Sequence, residues 1–272
     1  MDSSDAAEMG LEGPPRLTRR DAIARITLRR PSKLNRLEAG DIDRMRQLLK
    51  EVNEDLTIRV LVVTGEGRAF SAGFDLDALH DKTMEADASN AGVTGSGNAF
   101  SAMIDELESA RVPTICRLNG GVYGGATDLA LSCDFRMGTS ACELVMPAAR
   151  LGLHYYSSGL KRWTHRLGPD AAKRFFLLAT VIDAVTLARL GVLTDLVDSD
   201  ALDASVDIVA GQLASRAPQA LEGMKRAINE IANGNFDERA CDWRNAESLR
   251  SADLREGLAA WREKRTPVFR GQ

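Results

Sequence analysis

The hydrophobic residues of this chain follow two different spacings. Alternation over Ala22–Leu28 predicts a strand with one apolar face, and the β-branched run Arg59–Thr64 predicts a buried strand. Over Leu37–Asn53 the apolar residues recur three and four positions apart, which predicts an amphipathic helix. A further strand is predicted over 114–118, directly after the helix-breaking pair Val112-Pro113. Strands that alternate with helices in this way indicate an α/β fold.

Helical spacing dominates the second half of the chain. Short strands are predicted at Phe135–Gly138 and Glu143–Met146, and a brief strand-like run follows at Asp195–Val197. The predicted helices outside the first region are Phe100–Ala110, 158–167, 169–179, 200–215, 217–233, 236–250 and 252–264. No internal repeat is found, so the pattern favours one mixed core followed by a helical region.

The ends and one internal stretch depart from this regular patterning. Residues 1–15 are small, acidic and rich in glycine and proline, which predicts disorder. His80–Asn98 is polar and contains three glycines, which predicts a mobile loop. The sequence therefore divides into a disordered segment 1–15, a core 16–197 and a C-terminal helical region 198–272.

Two glycine-rich turns, Gly65–Leu76 and Gly120–Asp134, each follow a predicted strand and open a helix. Backbone N–H groups in such a turn can approach a ligand closely, and the first helical turn favours negative charge. Such a turn can hold a phosphate, or a carbonyl oxygen that becomes an oxyanion. Asp128 lies about one turn into the second helix, where it either faces that ligand or only borders a tight turn. Two converging N–H groups would make an oxyanion hole, each worth roughly 3 kcal/mol in the transition state.

Composition excludes several classes of protein. The chain is 44% hydrophobic, enough for one large core, while a net charge of -4 and 5% aromatic residues argue against nucleic-acid binding. No apolar run approaches the roughly 18 residues of a membrane span, and the acidic N-terminus does not resemble a signal peptide. The cysteines lack metal or redox spacing, and three of them lie in apolar stretches where buried thiols are expected (Cys116, Cys133, Cys142; the fourth is Cys241). We therefore expect a cytoplasmic enzyme without a metal or a separate cofactor.

Four motifs in order resemble the enoyl-CoA hydratase/isomerase (crotonase) superfamily over roughly residues 15–270. They are Arg30-Pro-Ser-Lys-Leu-Asn35, Ala69-Phe-Ser-Ala-Gly-Phe-Asp-Leu76, the stretch from Asn119 to Asp134, and the stretch from Glu256 to Phe269. The resemblance implies a crotonase-like ββα spiral core with a C-terminal helical trimerisation region. It also implies an acyl-CoA thioester substrate, with coenzyme A as part of that substrate, and a homotrimer or a dimer of trimers.

By motif position, the resemblance assigns the oxyanion-hole donors to the backbone N–H groups of Phe74 and Gly125. Asp128 takes the place of the first catalytic glutamate and is one methylene shorter, which withdraws the carboxylate by roughly 1.5 Å. Ala148, after Pro147, stands where hydratases carry the second glutamate. Alanine cannot transfer a proton, so the sequence leaves ordinary two-carboxylate hydration and isomerisation open to question.

His154 and Tyr155 follow closely, where the family's chain borders the substrate pocket. Superfamily decarboxylases use a tyrosine near this point to orient a malonyl-type carboxylate, whereas His154 offers a base for thioester hydrolysis. Alternatively, Tyr155 and Tyr156 only pack and His154 bonds to the backbone. Loss of the second glutamate also leaves open a non-catalytic protein, either a degenerate member that binds acyl-CoA or a trimer with a structural role. A dinucleotide-binding domain ranks last, because neither glycine turn has the required spacing.

The resemblance also implies contacts to coenzyme A. Lys33 and Arg36 match the region near the adenine and phosphates, and Trp261 and Lys264 match the 3′-phosphate end, sometimes supplied by a neighbouring subunit. Each is equally well explained as a solvated surface group. The full set of predicted substrate-binding residues is Lys33, Leu34, Arg36, Ala72, Asp75, Leu76, Tyr123, Gly124, Ala148, Leu153, Trp261 and Lys264.

Overall fold

A computed structural model describes residues 12–75 and 96–272. Its larger sheet contains the strands β1 Gly13–Arg20, β2 Ile23–Arg29, β3 Val60–Gly65, β5 Thr114–Leu118, β7 Phe135–Gly138 and β10 Asp195–Leu196. They are neighbours in that order, with β1 antiparallel to β2 and the other neighbours parallel. All six residues of β3 are buried, as the β-branched run predicted.

A smaller sheet contains the strands β4 Ala69–Ser71, β6 Gly121–Tyr123, β8 Glu143–Val145 and β9 Ile182–Asp183. They are neighbours in that order and parallel, except that β8 and β9 are antiparallel. Consecutive strands β3 and β4, β5 and β6, and β7 and β8 therefore lie in different sheets. A helix follows each such pair, which confirms the ββα spiral that the resemblance implied.

The helices pack around these two sheets. They are α1 Ala39–Glu54, α2 Ser96–Glu108, α3 Ala126–Ser132, α4 Ser157–Lys173, α5 Ala184–Arg189, α6 Leu202–Ala214, α7 Pro218–Asn233, α8 Glu238–Ser248 and α9 Ala252–Glu263. The predicted apolar face of α1 is buried, namely Ile42, Met45, Leu48, Leu49 and Val52. No helix in the described ranges has the length and apolarity needed to cross a membrane.

The C-terminal region shares a core with the larger sheet. Val60, Val62, Ile115 and Met137 pack against Leu202, Val206 and Ala210 of α6. The opposite side of the sheet contributes to the main core, where Trp163 is fully buried against Phe175 and Phe176. Cys116, Cys133 and Cys142 are buried free thiols, as predicted, and Cys241 is partly exposed.

Several elements differ from the predictions. Strand β1 begins at Gly13, inside the segment expected to be disordered, because an edge strand tolerates Pro14 and Pro15 and Glu12 accepts hydrogen bonds from Ser32. Residues 1–11 lie outside the described residues. The predicted break between two helices at residue 168 is a kink in α4, where Gly168 has φ 79°. The second of these two predicted helices, 169–179, ends in a π-helical turn, Arg174–Leu178.

Four further elements had no clear sequence signal. Each glycine turn contains a short strand, β4 in the first and β6 in the second, and helix α5 and strand β9 are too short for a periodic pattern to stand out. The predicted loop His80–Asn98 lies mostly outside the described residues, and its last three residues belong to α2.

Asn35 holds the segment before α1 against the first glycine turn. Its side chain donates to the backbone oxygens of Glu66 (2.7 Å) and Ala69 (2.9 Å) and accepts from the Arg30 N–H (2.9 Å). The residue is 1% exposed and has φ 54°, a conformation that asparagine tolerates better than most residues.

We expect Asn35→Ala to lower the free energy of unfolding by about 3 kcal/mol. The substitution leaves buried backbone groups without partners and places alanine at positive φ. Urea unfolding measures the effect, and Asn245→Ala on the exposed side of α8 is the matched control. Equal stability of the two variants would contradict this role for Asn35.

Candidate active site

The two glycine turns meet at one edge of the smaller sheet. Strands β4 and β6 are parallel neighbours, so the turns that follow them emerge side by side. At Gly73 a Cβ atom would lie 2.5 Å from the Tyr123 carbonyl oxygen and 2.7 Å from the Gly125 nitrogen, and φ is +84°. Only glycine fits there, and its absence of a side chain lets the second turn touch the first.

The N–H groups of Phe74 and Gly125 have no acceptor among the described residues. Leu37 donates to the Gly73 oxygen (2.8 Å) and accepts from Asp75 N–H (3.1 Å), so the Phe74 N–H points away from Leu37. Gly125 is the N-cap of α3, where a backbone N–H has no partner within the helix. Two unpaired donors therefore flank the point where the turns touch.

Asp128 lies one turn into α3 and is fully buried. Its Oδ2 accepts hydrogen bonds from the Tyr156 hydroxyl and from Arg162 Nη1 (2.6 Å). Its Oδ1 is also buried and has no partner among the described residues. Burial raises the pKa of Asp128 above its ordinary value, and the charge of Arg162 and the Tyr156 hydrogen bond act in the opposite direction.

Arg162 joins three helices and is 1% exposed at its side chain. Besides Asp128 of α3, it pairs with Asp105 and with Glu108 (Nε to Oε1, 3.1 Å) of α2. Arg162 is not among the site residues predicted from the sequence. Arg162 lies three residues after Gly159, so the two residues share the buried face of α4. This spacing is the sequence signal that would have indicated a buried position for Arg162.

Tyr156, not Tyr155, makes the contact with Asp128. The Tyr155 ring packs between Tyr156 (centroids 4.4 Å apart) and Phe176 (5.1 Å), and its hydroxyl lies 3.4 Å from the Tyr156 hydroxyl. Burial raises the pKa of both tyrosines, so both hydroxyls keep their protons. The side chain of His154 is exposed, and its Nδ1 lies 2.8 Å from the backbone carbonyl oxygen of Tyr155.

An aromatic wall borders the unpaired donors. The Phe100 ring centroid lies 6.1 Å from that of Phe74 and 6.0 Å from that of Tyr156. The same ring covers Gly125, where a Cβ atom would lie 2.9 Å from Phe100 Cζ. A group bound at the two N–H donors would therefore meet a largely apolar surface beside them.

The structure also brings together several of the predicted substrate-binding residues. The Ala72 N–H donates to the Leu34 oxygen (2.7 Å), and Arg36 pairs with Asp75 (3.1 Å). Lys33 pairs with Glu38 (2.9 Å). The segment that contains Lys33 and Arg36 therefore lies directly against the first glycine turn.

Other predicted residues are placed differently. Tyr123 folds back over Gly121 and donates its hydroxyl to Glu143 (2.7 Å), although its neighbour Gly124 lies in the turn. Burial raises the pKa of Tyr123 to about 12. Ala148 is buried and its oxygen accepts the N–H of Leu153, whose side chain is exposed.

Trp261 and Lys264 lie at the end of α9, and Trp261 is 79% exposed. Within the described ranges, no hydrogen bond or ion pair joins these two residues to the other predicted site residues. Leu76 and His80 lie outside the described residues.

A family model described as Enoyl-CoA hydratase/isomerase matches residues 18–272. The chain therefore belongs to the enoyl-CoA hydratase/isomerase family. It is similar to the crotonyl-CoA hydratase of Syntrophomonas wolfei, with 29% identity over 257 residues, 93% of this chain and 96% of the relative. It is 32% identical to the carnitinyl-CoA dehydratase of Citrobacter koseri, covering 94% of this chain and 97% of the relative. The 1,2-epoxyphenylacetyl-CoA isomerase of Escherichia coli is 30% identical, with coverage of 92% and 95%.

Solved structures confirm the fold. An enoyl-CoA hydratase/carnithine racemase from Magnetospirillum magneticum superposes with a TM-score of 0.88 at 27% identity, covering 96% of this chain and 97% of the other. An enoyl-CoA hydratase from Geobacillus kaustophilus gives a TM-score of 0.84 at 28% identity, covering 96% and 99%. Since the relatives carry the names of hydratases, dehydratases and isomerases, the family membership indicates acyl-CoA chemistry of the lyase or isomerase type.

Gly159 lets α4 approach Asp128 closely, because it has no side chain. A Cβ atom there would lie 2.5 Å from Tyr155 Cε1, 2.9 Å from Tyr156 Cε2 and 3.0 Å from Asp128 Oδ2. We expect Gly159→Ala to displace the tyrosines and to lower the free energy of unfolding by about 1–3 kcal/mol. Urea unfolding measures this change.

Gly211→Ala in α6 is the matched control. A Cβ atom at Gly211 meets nothing within 4 Å, so alanine is expected to stabilise that helix by about 0.5–1 kcal/mol. If both variants gain stability, the crowding inferred at Gly159 is wrong.

Proposed function

We propose that this protein processes an acyl-CoA thioester through an enolate held in an oxyanion hole formed by the N–H groups of Phe74 and Gly125. The observation that carries the proposal is the pair of unpaired N–H donors at touching glycine turns, with the buried Asp128 one helical turn behind them. The family membership supports a thioester substrate.

The electrostatics fit an enolate. Negative charge that moves onto the thioester oxygen meets two fixed donors, and each such donor is worth roughly 3 kcal/mol in a transition state. The neighbouring rings of Phe74 and Phe100 limit access of water, which strengthens those hydrogen bonds.

Asp128 supplies the proton-transfer group in this proposal. A carboxylate whose pKa is raised by burial is a stronger base toward a carbon-bound proton than an exposed one. Since Ala148 cannot share this task, Asp128 makes both proton transfers. In hydration it takes a proton from water as the water oxygen bonds to Cβ, and it then gives that proton to Cα. We favour hydration, dehydration or isomerisation by this single carboxylate, in keeping with the relatives' names.

The decarboxylase and hydrolase alternatives receive less support from the geometry. The Tyr155 hydroxyl lies within the tyrosine pair rather than at the two donors, and the His154 side chain is exposed. Asp105, Glu108 and Asp128 surround Arg162, so the charge near the site disfavours a second carboxylate on the substrate.

We further propose that Lys33 and Arg36 bind the phosphates of coenzyme A, because their segment lies against the first glycine turn. A homotrimer or dimer of trimers would let Trp261 and Lys264 act on a neighbouring subunit's substrate. The exposed apolar residues of α7 support such a subunit contact; they are Met224, Ile228 and Ile231.

Incubation with crotonyl-CoA tests hydration. We expect mass spectrometry to show the gain of one water, and expect Asp128→Ala to reduce the rate at least about 100-fold, because the proton-transfer group is lost. Asp242→Ala, at an exposed position of α8, is the matched control and should keep the wild-type rate. A wild-type rate for Asp128→Ala would exclude Asp128 from the reaction.

Butyryl-CoA in deuterium oxide tests enolate formation separately. This saturated thioester cannot be hydrated, so deuterium at Cα reports only proton removal and return. We expect exchange with the wild-type protein and none with Asp128→Ala. Tight binding of coenzyme A thioesters without either exchange or hydration would instead identify a non-catalytic binding protein.

A further inference from the structure

The two carboxylate oxygens of Asp128 have unequal surroundings. Oδ2 accepts two hydrogen bonds, from the Tyr156 hydroxyl and from Arg162 Nη1. Oδ1 is buried and has no partner among the described residues. A buried carboxylate oxygen without a partner loses its hydration without compensation, so such an atom in a native protein needs an explanation.

Arg162 and Tyr156, which donate to Oδ2, are fixed in place by further contacts. Arg162 is fixed by Asp105 and Glu108 of α2, and Arg166 also pairs with Glu108 (3.2 Å). Tyr156 is flanked by the Tyr155 ring and by the Phe100 ring. Together with Tyr155, these are the titratable and charged groups around Asp128 in the described part of the chain.

We infer that Arg162 and Tyr156 are positioning residues that occupy Oδ2 of Asp128 and leave Oδ1 as the single oxygen that exchanges a proton with the substrate. This inference rests on the proposed function. It assigns a positioning task to Arg162 on α4 and to Tyr156 directly before that helix.

The proton transfer in this scheme involves only the substrate, Asp128 and the two N–H donors. The substrate Cα–H bond breaks and its proton bonds to Oδ1, while the electron pair moves onto the thioester oxygen at the N–H groups of Phe74 and Gly125. In the return step Oδ1 gives a proton back to carbon; in deuterium oxide it gives a deuteron when the carboxyl proton has first exchanged with solvent. Oδ2 keeps its two hydrogen bonds throughout, so Asp128 does not need to rotate.

Tyr156 is not itself the acid in this scheme. Burial and the adjacent charge of Asp128 raise the pKa of Tyr156 well above its ordinary value, so a phenolate there is strongly disfavoured. The hydroxyl instead donates to the ionised form of Asp128. The hydrogen bond and the positive charge of Arg162 both lower the pKa of Asp128, against the effect of burial.

The pH dependence follows with a definite sign. A base must be ionised to accept a proton, so activity falls as the pH drops below the pKa of Asp128. Loss of Arg162 or of the Tyr156 hydroxyl removes a group that lowers this pKa. The acid limb of kcat/KM should therefore move to higher pH in variants of either residue.

The test compares Arg162→Met, Arg162→Lys and Tyr156→Phe in the full-length protein, with butyryl-CoA exchange and crotonyl-CoA hydration measured across pH. We expect the acid limb of kcat/KM to move to higher pH, by about one unit or more in Arg162→Met and by less in Tyr156→Phe. In Arg162→Lys we expect its position to be partly restored. Arg46→Met is the matched control, because Arg46 forms an exposed pair with Glu106 on α2. Its profile should match that of the wild type.

A second readout does not depend on activity. Carbon-13 NMR of the aspartate side-chain carboxyls, with the Asp128 signal assigned by Asp128→Asn, gives the titration of Asp128 directly. The inference is overturned if turnover falls in Arg162→Met and Tyr156→Phe while neither the acid limb nor the Asp128 titration moves. If Arg162→Met does not fold, Tyr156→Phe, which removes a single oxygen atom, decides the outcome.

The same measurement separates the two proposals. A wild-type protein without exchange or hydration, combined with the expected shifts in the Asp128 titration, would reject the proposed function and retain the electrostatic effect of Arg162 and Tyr156 on Asp128. Exchange in the wild type with no shift in either variant would retain the function and reject their positioning role.

Discussion

The contact between Gly73 and the backbone nitrogen of Gly125 constrains much of this structure. The two turns can touch only if β4 and β6 are parallel neighbours, and this pairing requires the chain to visit the larger sheet between them. A side chain at either glycine would meet atoms less than 3 Å away. The alternation of strands between two sheets thus delivers two backbone N–H groups to one place without using a side chain.

The cluster of Asp128 and Arg162 constrains the helices in a different way. A buried ion pair gives little net stability, because desolvation offsets most of the attraction, yet loss of one partner is costly. Arg162 of α4 contacts carboxylates on both α2 and α3, so a shift of any of these three helices would separate a buried charge from its partner. The cluster therefore specifies the arrangement of these helices more than it stabilises the fold.

The sequence predicted the strands and helices with strong periodicity, such as β3 and α1, and the motifs identified the family that the comparisons then confirmed. The partners of Asp128 were not predicted. Tyr156 and Arg162 meet Asp128 only because Gly159 lets α4 approach α3, and such contacts between distant segments leave no local pattern. The orientation of the Tyr123 side chain could not be predicted from the sequence either, because it depends on a hydrogen bond to Glu143 in the neighbouring strand β8.

Helix α2 carries both an aromatic residue of the site and the carboxylates that pair with Arg162. Phe100 lies against Gly125, while Asp105 and Glu108, between one and three turns further along, hold Arg162. The ring beside the two N–H donors and the carboxylates that hold Arg162 therefore both depend on where α2 lies. A change in the position of this one helix would alter the apolar wall of the site and the charge balance around the buried aspartate together.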